Sequence, residues 1–377
     1  MSIEKKRHIA IIGSVGLPAR YGGFETLTQE LVKHLQGVYT FTVFCSTTAY
    51  PGTNRPRYWQ QARLRYIPLP ANGIGSILYD FISMLYALFF ADTLLVLGVS
   101  GCIFLPIIKF LSRKQIIVNL DGVEWRRQKW SGFAKWYLKT AEYFAIRFAD
   151  QLIADNEAIR KEVSQRYGRN PVTIAYGGDQ AYFVPIQDKD LDTYSFLNKP
   201  YACKVCRIEP ENNIESVLDA FSQNHDFPLV LIGNWQHSPW SKTLYQHYHK
   251  QDHLHLLDPI YDTAELNLIR SNASLYIHGH QAGGTNPSLV EAMSLGLPVL
   301  AFDVAYNRET TENKARFFQT PDSLAGSIET THSHDWESIG EDMRSIAQRR
   351  YTWANISKAY GHLFEGSAVS QTILETV

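Results

Sequence analysis

The segment from His278 to Asp303, HGHQAGGTNPSLVEAMSLGLPVLAFD, constrains the fold more than any other because it compresses one βαβ unit into consecutive residues. Ala273 to His280 reads as a buried strand, Gln281 to Thr285 as a loop with two glycines, and Asn286 as an N-cap followed by Pro287 at the first helical position. The helix is expected to run to about Leu295, with Gly296 as a left-handed cap and Pro298 opening the next apolar run. A helix start leaves N–H groups without intrahelical partners. Together with the backbone of Gly283, Gly284 and Thr285, the first turn at Asn286, Pro287, Ser288 and Leu289 is therefore expected to face an anion above the strand ends, with phosphate the natural candidate. Glu291 lies just beyond that turn, where a carboxylate accepts hydrogen bonds from sugar hydroxyls while the turn holds a diphosphate. The competing reading is a plain βαβ unit with a tight glycine turn and a solvated Glu291.

Strand and helix patterns alternate on both sides of this segment. HIAIIGSVGLPARYGGFETLTQELVKHL reads as strand, glycine-rich loop and a helix opening near Gly23. Strands at YTFTVFCS, RLRYIPLP, TLLVLGV, QIIVNLDG and QLIADN follow, with helices near Leu78 and from about Ser131 to Ala149. The polar stretch VPIQDKDLDTYSFLNKP then reads as a linker, and a second series begins: YACKVCRI, a helix near Ile214 to Gln223, PLVLIGN, a helix near Trp240 to His249, HLHLLDPI, and a helix near Thr263 to Arg270. At 377 residues the chain is long enough for two cores. The expected architecture is α/β, with two Rossmann-like domains built on parallel sheets: residues 1–183, residues 184–350, and a last helix within 351–377.

Several function classes are disfavoured. GSVGLPARYGG is not the GxGxxG dinucleotide fingerprint, and the second strand ends in FCS without an acid for a ribose. Cys203 and Cys206 form a CxxC with no second pair to complete a zinc site, so with Cys45 and Cys102 they read as reduced core thiols of a cytoplasmic protein. The DxD of DKDLD, Asp188 to Asp192, falls in the linker. The pairs His247/His249, His253/His255 and His278/His280 lack an evident third ligand, so neither a metal nor any other cofactor is expected. The apolar region Ile74 to Leu111 is interrupted by Asp80, Asp92, Gly98, Gly101 and Pro106, which fits helix, strand and helix better than one membrane span.

Charge is unevenly distributed. Residues 1–185 hold 22 lysines and arginines against 13 acids, and residues 186–377 hold 14 against 24. The basic half contains NLDGVEWRRQKWSGFAKWYLK, where Arg126, Arg127, Lys129, Lys135 and Lys139 interleave with Trp125, Trp130, Phe133, Trp136 and Tyr137. Such a mixture suits an anionic membrane surface, and it also suits long side chains lying over a core; nucleic acid, the third possibility, is not the expected partner.

The signature AMSLGLPVLA with Glu291 resembles the donor-binding motif of family 4 retaining glycosyltransferases of the GT-B fold. The resembled motif carries a first glutamate where this chain has Gly283, and GGTNPSL with the run GLPARYGGFE from Gly16 to Glu25 is similar to a rhamnosyltransferase branch. The resemblance covers essentially the whole chain. It implies parallel-sheet domains facing across a cleft, with a C-terminal helix crossing back to the N-terminal domain. It also implies that Arg207 clamps the donor diphosphate, that Gly22 and Gly23 approach it, that Gly233 and Asn234 form a turn near the donor, and that Asp121 binds a hydroxyl. Arg20 and Glu25 would lie at the cleft edge. Asn212 stands where the resembled motif has a second cation, a lysine. The implied activity is transfer of L-rhamnose from dTDP-L-rhamnose to a glucose-terminated polyprenyl-diphosphate lipid, in a β-1,4 linkage, on the inner face of the plasma membrane and without a metal. A transferase using another donor, a nucleotide-sugar epimerase and a non-catalytic membrane scaffold remain as alternatives.

Overall fold

The structure is a computed structural model that describes residues 6–366 apart from 21, 53–54, 123, 128–129, 131 and 331–332. Lys129 of the basic and aromatic segment therefore lies outside the described residues. The chain divides into two compact units, Met1–Tyr176 with Trp353–Val377, and Gly177–Thr352.

Eight strands form the sheet of the first unit: β1 (His8–Ile12), β2 (Thr40–Ser46), β3 (Tyr58–Trp59), β4 (Ala62–Ile67), β5 (Thr93–Leu97), β6 (Gln115–Asn119), β7 (Gln151–Ala154) and β8 (Val172–Thr173). Their order is β3-β4-β2-β1-β5-β6-β7-β8, parallel throughout except for the short β3, which pairs antiparallel with β4. A parallel sheet covered on both faces calls for continuous apolar strands, and Ile9, Ala10, Ile11 and Ile12 are fully buried. The Ile74 to Leu111 region folds as helix Gly75–Ala87, strand β5 and helix Leu105–Leu111. No helix of the described residues is long and apolar enough to cross a membrane.

Helix Trp353–Phe364 belongs to this unit. The Tyr39 hydroxyl donates to the Gly361 carbonyl (3.2 Å) and to Glu365 (2.7 Å), Gln115 donates to the Leu363 carbonyl (2.9 Å), and Asn119 donates to the Tyr360 hydroxyl (2.9 Å).

The second unit has six parallel strands: β9 (Ala202–Val205), β10 (Leu229–Ile232), β11 (Leu254–Leu257), β12 (Leu275–His278), β13 (Val299–Phe302) and β14 (Arg316–Phe318), in the order β11-β10-β9-β12-β13-β14. Its core gathers Ile214, Val217, Leu218 and Phe221 of one helix against Leu229, Leu231, Leu275 and Ile277 of the strands. The unit begins at Gly177, earlier than the break expected at 183/184. Hydrogen bonds explain the difference, since Gly178 N–H donates to the Tyr351 carbonyl (2.8 Å), Val184 N–H to Ser271 (3.1 Å), and Asn272 to the Val184 carbonyl (2.8 Å). The expected linker is itself ordered: Asp188–Thr193 is helical behind a Gln187/Asp190 capping box, in which Asp190 accepts from Gln187 N–H (2.9 Å).

In both sheets the connection direction reverses beside the first strand of the unit, between β1 and β5 and between β9 and β12. Loops leaving such a switch point at the carboxyl ends of the strands form the usual ligand crevice of open α/β sheets.

Candidate functional site

In the second unit the switch point is built from the loops after β9 and β12. The helix after β12 spans Pro287–Ser294, with Asn286 as its N-cap in extended conformation and Gly296 left-handed (φ 72°) beyond its end. Both caps were legible from the sequence. The expected free N–H groups of the helix start, however, are already used. Pro287 has none, Ser288 N–H donates to Asn286 Oδ1 (3.0 Å), and the N–H groups of Leu289 and Val290 donate to the Asn286 carbonyl (3.0 and 3.2 Å). The free donors lie one step earlier: the N–H groups of Gly283, Gly284 and Asn286 donate to no protein group among the described residues. Successive N–H groups of a turn in front of a helix dipole make an anion-binding concavity. Gly283 is required there, with φ 126° and the His280 Nε2 only 2.9 Å from where a Cβ would stand. Thr285 is buried in the same turn.

Arg207 follows β9 and is exposed. Its guanidinium makes no ion pair or hydrogen bond among the described residues, so the surface salt bridge that would explain it away is not found. Its carbonyl accepts from Asn212 Nδ2 (2.8 Å), and Asn212 Oδ1 contacts His280 Nδ1 (2.5 Å), which ties the β9 loop to the β12 loop. Gln281 N–H donates to the Glu211 carbonyl (3.0 Å), a second tie. Gly233, after β10, packs on this loop: a Cβ there would meet the Cys206 carbonyl and Ile208, each at 2.5 Å. Asn234 beside it is exposed and accepts from Gln236 N–H (3.0 Å).

Glu291 is not a solvated carboxylate waiting for a sugar. Arg270, 3% exposed, pairs with one of its oxygens, and Gln180 donates to the other (2.6 Å). A carboxylate oxygen accepts more than one hydrogen bond, so Glu291 keeps acceptor capacity while its orientation is fixed from behind. Arg270 also donates to Asn267 (3.0 Å). Sequence reading missed Arg270 because it looks like the basic last turn of a surface helix, Thr263–Ser271.

The first unit uses its switch-point loop differently. Glu25, 7% exposed, accepts from Val15 N–H (2.6 Å), and its Oε2 lies 2.0 Å from where a Cβ on Gly22 would stand, so Gly22 (φ 124°) is obligatory. Glu25 is thus a brace inside the loop, where a cleft-edge position had been expected. Gly23 is the first residue of helix Gly23–Leu35. Arg20 lies over the Tyr50 ring (4.9 Å) and donates to the Ala49 carbonyl (3.1 Å). Asp121, after β6, is held in the left-handed region (φ 59°) with its N–H on Asn119 Oδ1 (3.0 Å), a strained conformation for a residue other than glycine.

Most of the expected membrane-facing residues are engaged within the protein. Trp125 donates to Glu142 (3.1 Å) beneath Arg166 (4.7 Å), Arg126 pairs with Glu162 (2.8 Å), and Glu124 holds both Arg127 (3.2 Å) and Trp130 (3.1 Å). Trp136 is 61% exposed, with the exposed Phe133 ring 5.8 Å from it. Further large apolar side chains are exposed on nearby elements of the sequence, notably Ile74, Phe89 and Phe110. No group of three or more metal-binding side chains occurs among the described residues. His247 and His249 lie at the end of helix Pro239–Tyr248, off any strand.

Comparison with known proteins agrees with this division. Residues 187–350 match the family described as Glycosyl transferases group 1, and residues 6–179 match a domain of unknown function, DUF1972. The second unit thus matches a glycosyltransferase group 1 domain over most of its length, and the chain has the GT-B fold. Sucrose-phosphate synthase from Thermosynechococcus elongatus aligns over 96% of this chain and 99% of its own, at 18% identity and TM-score 0.81. HepE of Anabaena, in complex with UDP-glucose, aligns over 96% of this chain and 100% of its own at 17% identity and TM-score 0.74. An E. coli trehalose-6-phosphate protein bound with UDP-2-fluoro glucose covers 96% and 100% at 12% identity and TM-score 0.69. No curated protein sequence matches the chain.

Proposed function

We propose that this protein transfers a sugar from a nucleoside diphosphate to a hydroxyl acceptor, with the anomeric configuration retained. The observation that carries the reading is that an exposed, uncompensated Arg207 and the free N–H groups of Gly283, Gly284 and Asn286 lie on the two loops that leave the β9/β12 switch point, loops tied together through Asn212 and His280. Groups fixed in advance around a diphosphate stabilise the charge that develops on it as the sugar–phosphate bond breaks. The acceptor oxygen bonds to the same face of the sugar while its proton passes to the departing phosphate, so no separate protein base is needed. Glu291, steadied by Arg270 and Gln180, binds the nucleotide pentose, and the resemblance assigns Asp121 an acceptor or donor hydroxyl. This assignment uses no metal.

The donor we propose is dTDP-L-rhamnose and the acceptor a glucose-terminated polyprenyl diphosphate, joined in a β-1,4 linkage; the support is the resemblance of GLPARYGGFE and GGTNPSL to the rhamnosyltransferase branch. A lipid acceptor agrees with peripheral attachment to the cytoplasmic face of the membrane, supported by the exposed Phe133 and Trp136 on a basic half. A uridine donor is the second reading, favoured by the UDP-sugars named for HepE and the E. coli protein. Calorimetry with thymidine, uridine and guanosine diphosphates separates them. Thymidine diphosphate is expected to bind tightest, and Arg207→Ala to weaken it roughly tenfold to hundredfold at unchanged Tm. Absence of binding by all three would remove the transferase reading, and tightest binding of uridine diphosphate would replace the donor.

A further inference from the structure

The middle of β9 carries a charge that the sheet does not explain. Lys204 is 1% exposed, and its ammonium has no hydrogen bond or ion pair among the described residues. Burying an unpaired cation is costly, and burial does hold the Lys204 ammonium below its usual range, with only the Cys206 thiol acting against that shift. Among the described residues no carboxylate pairs with it.

Its surroundings are those of the switch point. Lys204 Nζ and the Asn212 carbonyl oxygen crowd the same place, 2.8 and 2.3 Å from where a Cβ on Gly279 would stand, so only glycine fits at the end of β12. From there His280 reaches from Asn212 Oδ1 (2.5 Å) towards Gly283, whose missing Cβ would lie 2.9 Å from its Nε2. His278, 3% exposed on the neighbouring strand, has a buried polar atom without a partner, its Nε2. Burial, with His280 and Lys204 as lesser contributors and an Asn307 hydrogen bond acting against them, holds that ring well below its ordinary pKa; an imidazole carries no negative charge in either protonation state, so it cannot balance the lysine. The unpaired Lys204 ammonium and the unpartnered His278 Nε2 thus sit on the adjoining strands β9 and β12, next to the loop that carries the free N–H groups.

We infer that Lys204 is a cation of the diphosphate pocket, reaching a phosphoryl oxygen from beneath the Gly279–Gly283 loop and paired only when the nucleotide is bound. This rests on the reading of the site as a nucleotide-sugar pocket. The anion supplies the missing counter-charge, and the lysine supplies positive charge to the leaving group from within the sheet, opposite the exposed Arg207.

The test compares nucleosides with their diphosphates on the full chain by calorimetry, using wild type, Lys204→Met and Lys204→Gln. The diphosphate that wild type binds tightest is expected to lose roughly tenfold to hundredfold in affinity in both variants, while the uncharged nucleoside loses nothing. Ligand-free Lys204→Met is expected to melt no lower than wild type, because a buried unpaired charge has been removed. Equal losses for nucleoside and diphosphate, or an unchanged diphosphate affinity, would overturn the inference and leave Lys204 a structural residue. If wild type binds no diphosphate at all, the nucleotide-sugar reading fails first.

Discussion

The two units invert each other in where they keep charge. The N-terminal half of the sequence is basic overall, yet the first unit buries acids, among them Glu25, Asp80 and Glu142; the C-terminal half is acidic, yet the second unit buries Lys204, Arg270 and His278 along with Glu211. Two of these acids in the first unit are braced by donors of their own unit, Glu25 by Val15 N–H and Glu142 by Trp125 and Tyr167, while Asp80 keeps one oxygen unpartnered. Of the buried cations Arg270 and Lys204 of the second unit, Arg270 has its counter-ion, Glu291, while Lys204 has none among the described residues. A self-satisfied loop holds a shape, and an unsatisfied one is completed by a ligand. Net surface charge thus says little about which unit binds the anion.

The largest expected effect comes from breaking the one buried pair of that group. Glu291→Ala leaves Arg270 charged and nearly inaccessible, and is expected to destabilise the second unit by about 3–5 kcal/mol in denaturant melts. A variant that melted like wild type would make Glu291 purely a ligand residue and weaken the contrast between the units. Loss of activity in Glu291→Ala must therefore be read beside its stability, whereas Arg207→Ala is a clean probe.

A smaller effect tests the first unit. Burial pushes the Asp80 carboxyl up to about 8, against the opposing pull of the Gly101 backbone N–H, and its Oδ1 has no partner. Folded Asp80 thus holds its proton where the unfolded chain has lost it. Stability linked to this group is full below about pH 4 and falls as pH rises to about 8, where the loss levels off. Asp80→Asn is expected to gain on wild type by several degrees of Tm between pH 5 and pH 8. A Tm difference that stayed flat with pH would mean that Asp80 is ionised in the fold.

The smallest effect concerns the surface. Replacing exposed Phe133 and Trp136 by Ala is expected to lower flotation with anionic liposomes at unchanged Tm, while Arg126→Ala acts mainly through its ion pair with Glu162. Flotation unchanged in the Phe133/Trp136 variant would remove the membrane from the description of the first unit.

Much of the fold was legible because its signals are local. Alternating apolar runs placed the principal strands of both sheets, and the cap at Asn286, the proline at Pro287 and the glycine at Gly296 set both ends of one helix. Short edge strands such as β3, β8 and β14 carry too few residues to show a period. At the site, Arg207 and the glycine turn are named by the resemblance, and the structure puts them on the loops after β9 and β12. The partners of Glu291, the brace at Glu25 and the inward turn of Trp125 and Trp130 could not be read from spacing, because each depends on how a loop folds back or on which helix packs beside it.

What the sequence determined by itself was the succession of strands, turns and capped helices, since period, capping and glycine conformation act over a few neighbouring residues. Only the tertiary structure decided which charges are compensated. Strand order brings β9 beside β12, so a lysine indistinguishable in sequence from a surface residue becomes a buried cation under a turn of free N–H groups, and the helix tip that seemed open turns out to be capped by its own asparagine.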